Sequence, residues 1–367
     1  MDKIEKNENL PDSHIEHIRD DIDRIDKNIL ELINQRLRLA GEIGSLKEKN
    51  GAEILCAKRE SKILKQLCDI NDGPLAEKLL CHIFTEIMSA SREIQRARKI
   101  IYLGPEATFT HIAAMKHFGR SAEFIPRPTI KDVFLEVEKG KSDYGVVPVE
   151  NSIEGSVNYT LDLFFDSDLK ICAEKYQTIS LDLLSKSGNI EDIRVVYSHP
   201  QPVGQCRRWV REHLGNVDIE ECSSTSYAAR KAAGKQDAAA IAGSEAAELY
   251  NLQVVASRIE DQSRNTTRFL VIGKNPVSKT GEDKTSIMFS APHVPGALYK
   301  VLEPIAKSGI NMLKLESRPA KHENWSYFFF VDLEGHMDDP EVCETIEGMN
   351  KICLFLRVLG SYPRAKQ

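Results

Sequence analysis

Apolar residues recur at Ile15, Ile18, Ile22, Ile25, Ile29 and Leu32, at alternating spacings of three and four, and resume at Leu39, Ile43 and Leu46. That is the seam of one long helix with a buried face, roughly 35 residues or about 50 Å long at 1.5 Å per residue. Ser13 and Glu16 make a capping box at its start, and Asn50-Gly51 closes it. A shorter helix is predicted from about Ala57 to Ile70, and a third after Asp72-Gly73-Pro74, running to about Arg98. Helices so unequal in length cannot cover the long seam within one chain, so the pattern predicts a dimeric bundle.

From Lys99 the period changes. Short β-rich runs (KIIYLG, YGVVPV, IRVVYSH, AAAIAG, RFLVIG) alternate with helical stretches, which implies an α/β domain. NPVSKTGEDK, residues 275 to 284, reads as a polar linker. Beyond it TSIMFSAP, GALYKVLEPIAKSG, MLKLESRP, WSYFFFVDLE, DPEVCETIEGMN and LFLRVLGS give the order βαββαβ, a ferredoxin-like α+β unit. The expected division is a helical domain over 1–98, an α/β domain over 99–275, a linker over 276–283 and a third domain over 284–367. Residues 1 to 14 are expected to be disordered.

Composition narrows the function classes. A chain of 367 residues, 41% hydrophobic and 28% charged, has the length for two or three domains. A net charge of -6 argues against general nucleic-acid or membrane-surface binding. The first residues carry no apolar core and no 18-residue apolar run follows, so a cytoplasmic protein is expected. Eight cysteines without a CxxC pair read as reduced thiols, and ten histidines without HExxH spacing offer no metal site. Neither metal nor organic cofactor is therefore expected. Gly140-Lys141-Ser142 is not a phosphate loop, because Leu135 stands where that loop needs its first glycine.

Within the helical pattern, polar residues break the apolar stripes. Arg36 occupies the seam position between Leu32 and Leu39, where a guanidinium needs an anion to meet it. Lys47, about three turns on, points the same way. Arg59 opens the second helix with Glu60 beside it, and Ser91 and Gln95 follow Leu80, Phe84 and Ile87 on the third. Any one of these is accounted for by a solvated or internally paired side chain; as a group they leave an excess of inward positive charge that calls for an anionic ligand. The stretches IRDDIDRIDKNILELINQR, AGEIGSLK, KRE and IMSASREIQ resemble the all-helical chorismate mutases over residues 14 to 98. The resemblance implies a substrate pocket of Arg19 from the partner chain, Arg36, Lys47, Arg59, Glu60, Ser91 and Gln95, with Lys47 and Gln95 facing the ether oxygen that breaks. Cys56 stands where the family usually has an aspartate, which implies weaker binding of the substrate hydroxyl.

In the α/β segment, YLGPEATFT (102 to 110), VPVENSIEGSV (147 to 157) and YSHPQPVGQC (197 to 206) place polar groups where strands end and helices begin, and RNTTRF (264 to 269) enters a strand with a polar cluster. Ligands of open sheets sit at such ends, although helix capping accounts for any single turn. Together the four stretches resemble prephenate dehydratase over roughly residues 100 to 275, which implies two α/β lobes around a cleft, similar to type 2 periplasmic binding proteins. The resemblance assigns Thr108, Asn151, Ser156, Ser198, Gln205 and Arg268 to substrate and makes Thr267 the donor to the departing hydroxyl. Glu150 is the alternative proton source if burial raises its pKa. The common form of GPEATFT has glycine at Ala107 and serine at Thr110.

PGALYKVLEPIAKSGIN and LESRP resemble the ACT domain of phenylalanine-regulated dehydratases over 284 to 362, with Gly296, Ala297, Leu298, Glu316, Ser317, Arg318 and Pro319 at the ligand-contact positions. A plain dimerisation module is the alternative. The chain as a whole thus resembles the bifunctional chorismate mutase/prephenate dehydratase family. The implied function is conversion of chorismate to prephenate and of prephenate to phenylpyruvate, in a homodimer or higher homo-oligomer inhibited by L-phenylalanine, without nucleic acid or membrane. Two rivals remain: a dehydratase with an impaired mutase domain, and a non-catalytic small-anion-binding protein.

Overall fold

The structure, a computed structural model, describes residues 12–49, 57–95, 98–215, 217–262, 265–319 and 327–365. Two compact units emerge, 1–55 with 71–97 and 56–70 with 98–367. In the first, helices α1 (Asp12–Lys49) and α3 (Glu77–Gln95) pack together; α2 (Ala57–Ile70) groups with the second. The helices run where the apolar period put them, except that α1 starts at Asp12, one residue before the expected cap. Ala40, Leu80 and Met88 are buried between α1 and α3. A Cβ on Gly41 would lie 3.2 Å from Ile94, so glycine there allows the close helix approach. By contrast the seam residues Ile18, Ile22, Ile25, Ile29 and Leu32 are all about half exposed or more.

Among the described residues the second unit contains three sheets. The first is built by β1 (Lys99–Leu103), β2 (Glu123–Arg127), β3 (Tyr144–Asn151), the short β4 (Gly155–Ser156) and β5 (Lys170–Thr178), with helices α4 (Phe109–Phe118), α5 (Ile130–Glu138) and α6 (Asn158–Asp166) between them. The chain then makes a second sheet from β6 (Asp182–Ser185), β7 (Val195–Ser198), β8 (Asp218–Glu221), β9 (Ala238–Ala242) and β10 (Gln253–Ala256), with α7 (Pro200–Gln205), α8 (Arg207–His213), α9 (Thr225–Ala233) and α10 (Glu245–Tyr250). It returns to the first sheet as β11 (Thr266–Gly273), giving the orders β2-β1-β3-β11-β5 and β10-β6-β9-β7-β8. The two crossings are bonded to each other, Ile179 N to Asn265 O at 2.8 Å and Ile259 N to Leu181 O at 2.8 Å. They form a two-stranded hinge between the lobes.

The third sheet, order β13-β14-β12-β15, comes from β12 (Asp283–Ser290), α11 (Ala297–Ser308), β13 (Met312–Pro319), β14 (Tyr327–Glu334), α12 (Pro340–Asn350) and β15 (Phe355–Pro363), the βαββαβ unit expected. Gly296 adopts φ 75°, a left-handed conformation that glycine takes without strain, at the start of α11. One face of this sheet packs α11 and α12 through Ile287, Phe289, Val331 and Leu333. The other puts Met288, Phe330, Leu359 and Tyr362 into the core of the first sheet. Contact is so close that a Cβ on Gly360 would lie 2.3 Å from Ile171 O. The stretch read as a linker is likewise pinned: His336 bonds Val277 O at 3.0 Å, and Thr280 N and Gly281 N both donate to Asp283.

Candidate active sites

On the first unit Arg36 and Ser91 come together. Arg36 Nη1 donates to Ser91 Oγ and, at 3.5 Å, to Ile87 O, while Ser91 Oγ donates to Ile87 O at 2.7 Å. Ser91 is buried and Arg36 half-buried, so the arginine of the seam reaches from α1 to α3. Arg19 is exposed on α1. Arg59 and Glu60 lie on α2, in the other unit. The side chains of Lys47 and Gln95, and Cys56 altogether, lie outside the described residues.

The second site is built by a bulge. Strands β3 and β11 pair Thr267 with Asn151, Arg268 with Glu150 and Phe269 with Pro148, leaving Val149 as an extra residue. Side chains alternate across a strand, so one extra residue reverses which face each later side chain meets. Asn151 is thereby delivered to the face of Thr267, and Glu150 to the opposite face with Arg268. Pro148 has no N–H for the ladder, and in a central strand proline belongs at such an irregularity. Pro148 was the sequence signal for the bulge.

On the cleft face Asn151 Nδ2 donates to Thr267 Oγ1 at 2.8 Å and to Asn265 Oδ1 at 2.8 Å. Asn151 Oδ1 accepts from Ile153 N and Glu154 N, and Asn265 Nδ2 donates to Gln205 Oε1 at 3.2 Å. Gln205, Asn265, Asn151 and Thr267 therefore form one chain of amides ending on a hydroxyl. Thr267 accepts within that chain, and its own proton is left to donate outward. Asn265 and the next rung of the sheet were not expected from sequence: Gln177 pairs with Thr267 and takes a bond from Lys116 Nζ at 2.9 Å. Lys175 faces the same side, its pKa lowered by burial and by Lys116. Neighbouring Cys206 is pushed up to about 12 by burial, which leaves no thiolate there.

Thr108 caps α4, accepting from His111 N and donating to Pro105 O at 2.9 Å. The preceding loop bends at Ala107, φ 57°, the position where the common form has glycine. Its N–H donates to His111 Nδ1 at 3.1 Å, and the His111 ring stacks on Tyr102 at 4.6 Å. Burial lowers the His111 pKa against the raising effect of Glu106. Ser226 Oγ, from α9 of the second lobe, donates to Glu106 O and so ties this loop across the cleft.

Three expected substrate contacts lie elsewhere. Ser198 is fully buried and donates to Ile241 O at 3.3 Å inside the second sheet. Ser156 Oγ donates to Glu316 of the third domain. Arg268, 6% exposed, donates to Glu174 at 2.8 Å and to Tyr362 Oη at 3.0 Å, and pairs with Asp332 at 2.8 Å. Burial opposes its charge, yet Tyr362, Asp332 and Glu174 hold its pKa well above the usual value. It neighbours Thr267 in sequence and therefore points away from it in a strand, so Arg268 lies on the opposite face, where with Glu150 it lines a cavity of about 1180 Å³. Glu150 is on that far face too, held by Lys314 Nζ at 2.9 Å, which removes it as a proton source for the Thr267 cleft. Among the positions expected for the effector, Glu316 also pairs with Lys314 at 3.1 Å and Arg318 with Asp162 at 3.2 Å, whereas Ser317 and Pro319 are exposed. Gly296, Ala297 and Leu298 form the turn into α11. Among the described residues no His, Cys, Asp and Glu cluster could hold a metal ion, and no helix is long and apolar enough to cross a membrane.

These features define an all-α unit with a half-buried arginine bridging two helices, and a two-lobed α/β enzyme fold fused to a ferredoxin-like domain. The type II chorismate mutase family matches residues 18–96, the prephenate dehydratase family residues 100–277 and the ACT domain residues 285–348. The bifunctional chorismate mutase/prephenate dehydratase of Aquifex aeolicus is 47% identical over 355 residues, covering 96% of this chain and 98% of that protein. The one of Neisseria gonorrhoeae is 44% identical over 350 residues, with 95% and 96% covered. Among solved structures, the prephenate dehydratase of Arthrobacter aurescens in complex with L-Phe is similar at 36% identity and TM-score 0.67, covering 73% of this chain and 90% of that one. The chain belongs to the bifunctional chorismate mutase/prephenate dehydratase family.

Proposed function

We propose that the chain converts chorismate to prephenate on its helical domain, residues 1–98, and prephenate to phenylpyruvate in the cleft at Thr267, within a second domain over 99–275. The observation that carries the second assignment is the amide chain of Gln205, Asn265 and Asn151 ending on Thr267, whose hydroxyl keeps its proton for a ligand. Dehydration of prephenate expels the ring hydroxyl and carbon dioxide, and aromatisation drives it, so modest help to the departing oxygen is enough. A threonine alcohol is a poor acid but a good hydrogen-bond donor, so Thr267 acts by positioning and by donating to that oxygen. Lys116 and Lys175 are the cations on the same face and are assigned to the carboxylates in place of Arg268.

The mutase reaction is a pericyclic rearrangement with neither nucleophile nor proton transfer. It needs a held conformer and charge stabilisation at the ether oxygen. Arg36 supported by Ser91 supplies a carboxylate contact, with Lys47, Gln95, Arg59, Glu60 and the partner's Arg19 completing the pocket. The exposed stripe from Ile18 to Leu32 supports a homodimer in which a second copy of α1 covers it. The ACT domain over 284–367 serves as the sensor of L-phenylalanine, and the expected compartment is the cytoplasm. Incubation with chorismate tests the reading: prephenate should appear first and phenylpyruvate after it. Thr267→Val should stop the reaction at prephenate with mutase turnover retained, by a factor on the order of 100 or more in dehydratase kcat. Dehydratase turnover within threefold of wild type in that variant would refute the assignment.

A further inference from the structure

On β13 the side chains at 314, 316 and 318 turn toward the dehydratase domain, whereas Leu315, Ser317 and Pro319 are exposed. Lys314 Nζ lies between two carboxylates, one from each domain: Glu150 at 2.9 Å and Glu316 at 3.1 Å. Ser156 Oγ, cross-strand from Glu150 on β4, donates to the same Glu316 oxygen. This closes a ring of Glu150, Lys314, Glu316 and Ser156 over the turn that leaves β3. Asn151, the last residue of β3, follows Glu150 and holds Thr267 from the other face. Without the lysine, two carboxylates would face each other across the domain boundary, and like charges so close repel.

We propose that Lys314 is a positioning residue for the dehydratase reaction and the point at which the effector acts. It rests on the reading of Thr267 as the dehydratase donor and of Glu316 as an effector contact. The chemistry of competition is simple. Lys314 Nζ and Ser156 Oγ share one oxygen of Glu316, Oε2, and an amino acid presents an ammonium group; an ammonium that takes that oxygen displaces Lys314 Nζ from it. Lys314 then has one carboxylate, Glu150, where it had two, and β13 loses its hold on the β3–β4 turn. Lys314 lines a cavity of about 1180 Å³ between the two domains, which gives the displaced side chain room to move. A ligand shifts such an equilibrium only by its differential affinity for the two arrangements, typically about 5- to 150-fold.

The test is Lys314→Met in the full chain, with Lys314→Arg as the conservative control. Loss of the ring should lower dehydratase kcat about five- to tenfold with KM for prephenate within twofold, while chorismate mutase turnover stays at the wild-type rate and reports an intact protein. Phenylalanine, measured by calorimetry, should bind several-fold more tightly because Lys314 no longer competes for Glu316, and its remaining inhibition of the dehydratase should fall below twofold. Lys314→Arg should restore both properties. A Lys314→Met enzyme with wild-type kcat and wild-type inhibition overturns the proposal. A wild-type protein that turns over prephenate but binds no phenylalanine overturns only the effector half. One that does not turn over prephenate removes the dehydratase reading and the proposal together.

Discussion

Arg268 decides between two accounts of this enzyme. As a substrate ligand, its removal would raise KM for prephenate and leave stability alone. In the structure it is one of two cations set against two anions in a buried cluster: Arg268 and Lys284 meet Glu174 and Asp332, all with side chains less than 10% exposed. Distances of 2.8, 2.8 and 2.9 Å leave no room for water between the charges. Arg268→Met removes one positive charge and leaves two carboxylates with a single lysine. Stranding a buried charge in this way costs about 3–5 kcal/mol. A second substitution, Glu174→Gln, returns the cluster to one cation and one anion, so the double variant should recover much of the loss. The coupling between the two should lie in the range of about 0.5–3 kcal/mol found for residues in one network. Urea unfolding of wild type, both single variants and the double variant measures the cycle, with prephenate KM measured on each. A stability change under 0.5 kcal/mol together with a tenfold rise in KM would refute the cluster account and restore Arg268 to the substrate.

Arg36→Ala should lose mutase kcat/KM by about 100-fold or more, because a charge-assisted hydrogen bond to a buried anion costs roughly 3 kcal/mol to remove; dehydratase turnover of supplied prephenate should not change, and mutase activity within a few-fold of wild type would make Arg36 structural. Gly360→Ala places a methyl 2.3 Å from Ile171 O, so β15 must move away from β5, at about 1–3 kcal/mol for an overpacked contact; a melting temperature equal to wild type would show that the third domain is not docked as described. The His111 pKa is lowered in the folded protein by burial, so between that value and the ordinary 6.5 the unfolded chain binds more protons, and stability falls as pH drops through the window. His111→Phe keeps the stacking on Tyr102 but cannot take that proton, so its melting temperature should vary less between pH 5 and 7, which a calorimetric pH series reads directly.

Long-range order along the chain was legible wherever one period persisted. The seam of α1, the α2 boundaries and the six elements of the third domain follow from spacing alone, since a helix or a strand buries one face at a fixed repeat. The second lobe was expected only through the family resemblance and did not follow from spacing, because β6 and β10 carry no run long enough to stand out as strands of a separate sheet. The site was legible by residue type more than by direction. Thr267 and Asn151, taken from two different motifs, do lie side by side, but Arg268, one residue on, was assigned to the same cleft although strand alternation sends it to the other face. Glu150 and Asn151 could be ordered only with the bulge, for which Pro148 in a buried strand was the available sign. Ser156 and Glu316 came from two different motifs, and nothing in either stretch says that they touch.

That last contact bears on how the third domain can regulate at all. A domain on a free tether could bind an effector without the cleft responding, since coupling needs an element that both sites bias. Here β3 and β11 are such an element. One face of the pair carries Asn151 and Thr267, while the other carries Glu150 and Arg268, whose partners Lys314, Asp332 and Tyr362 all belong to the third domain. A shift of β13 or β14 by even 1 Å would break ion pairs at 2.8–2.9 Å and would be felt on the same two strands that present the hydroxyl. Removing the domain would have a further consequence. It would expose the apolar face now covered by Met288, Phe330, Leu359 and Tyr362, and would leave Arg268 with Glu174 as its remaining buried partner. A chain truncated after Pro276 should therefore lose solubility or stability before it reports on loss of feedback, and single substitutions in the two charge clusters are the sharper instruments.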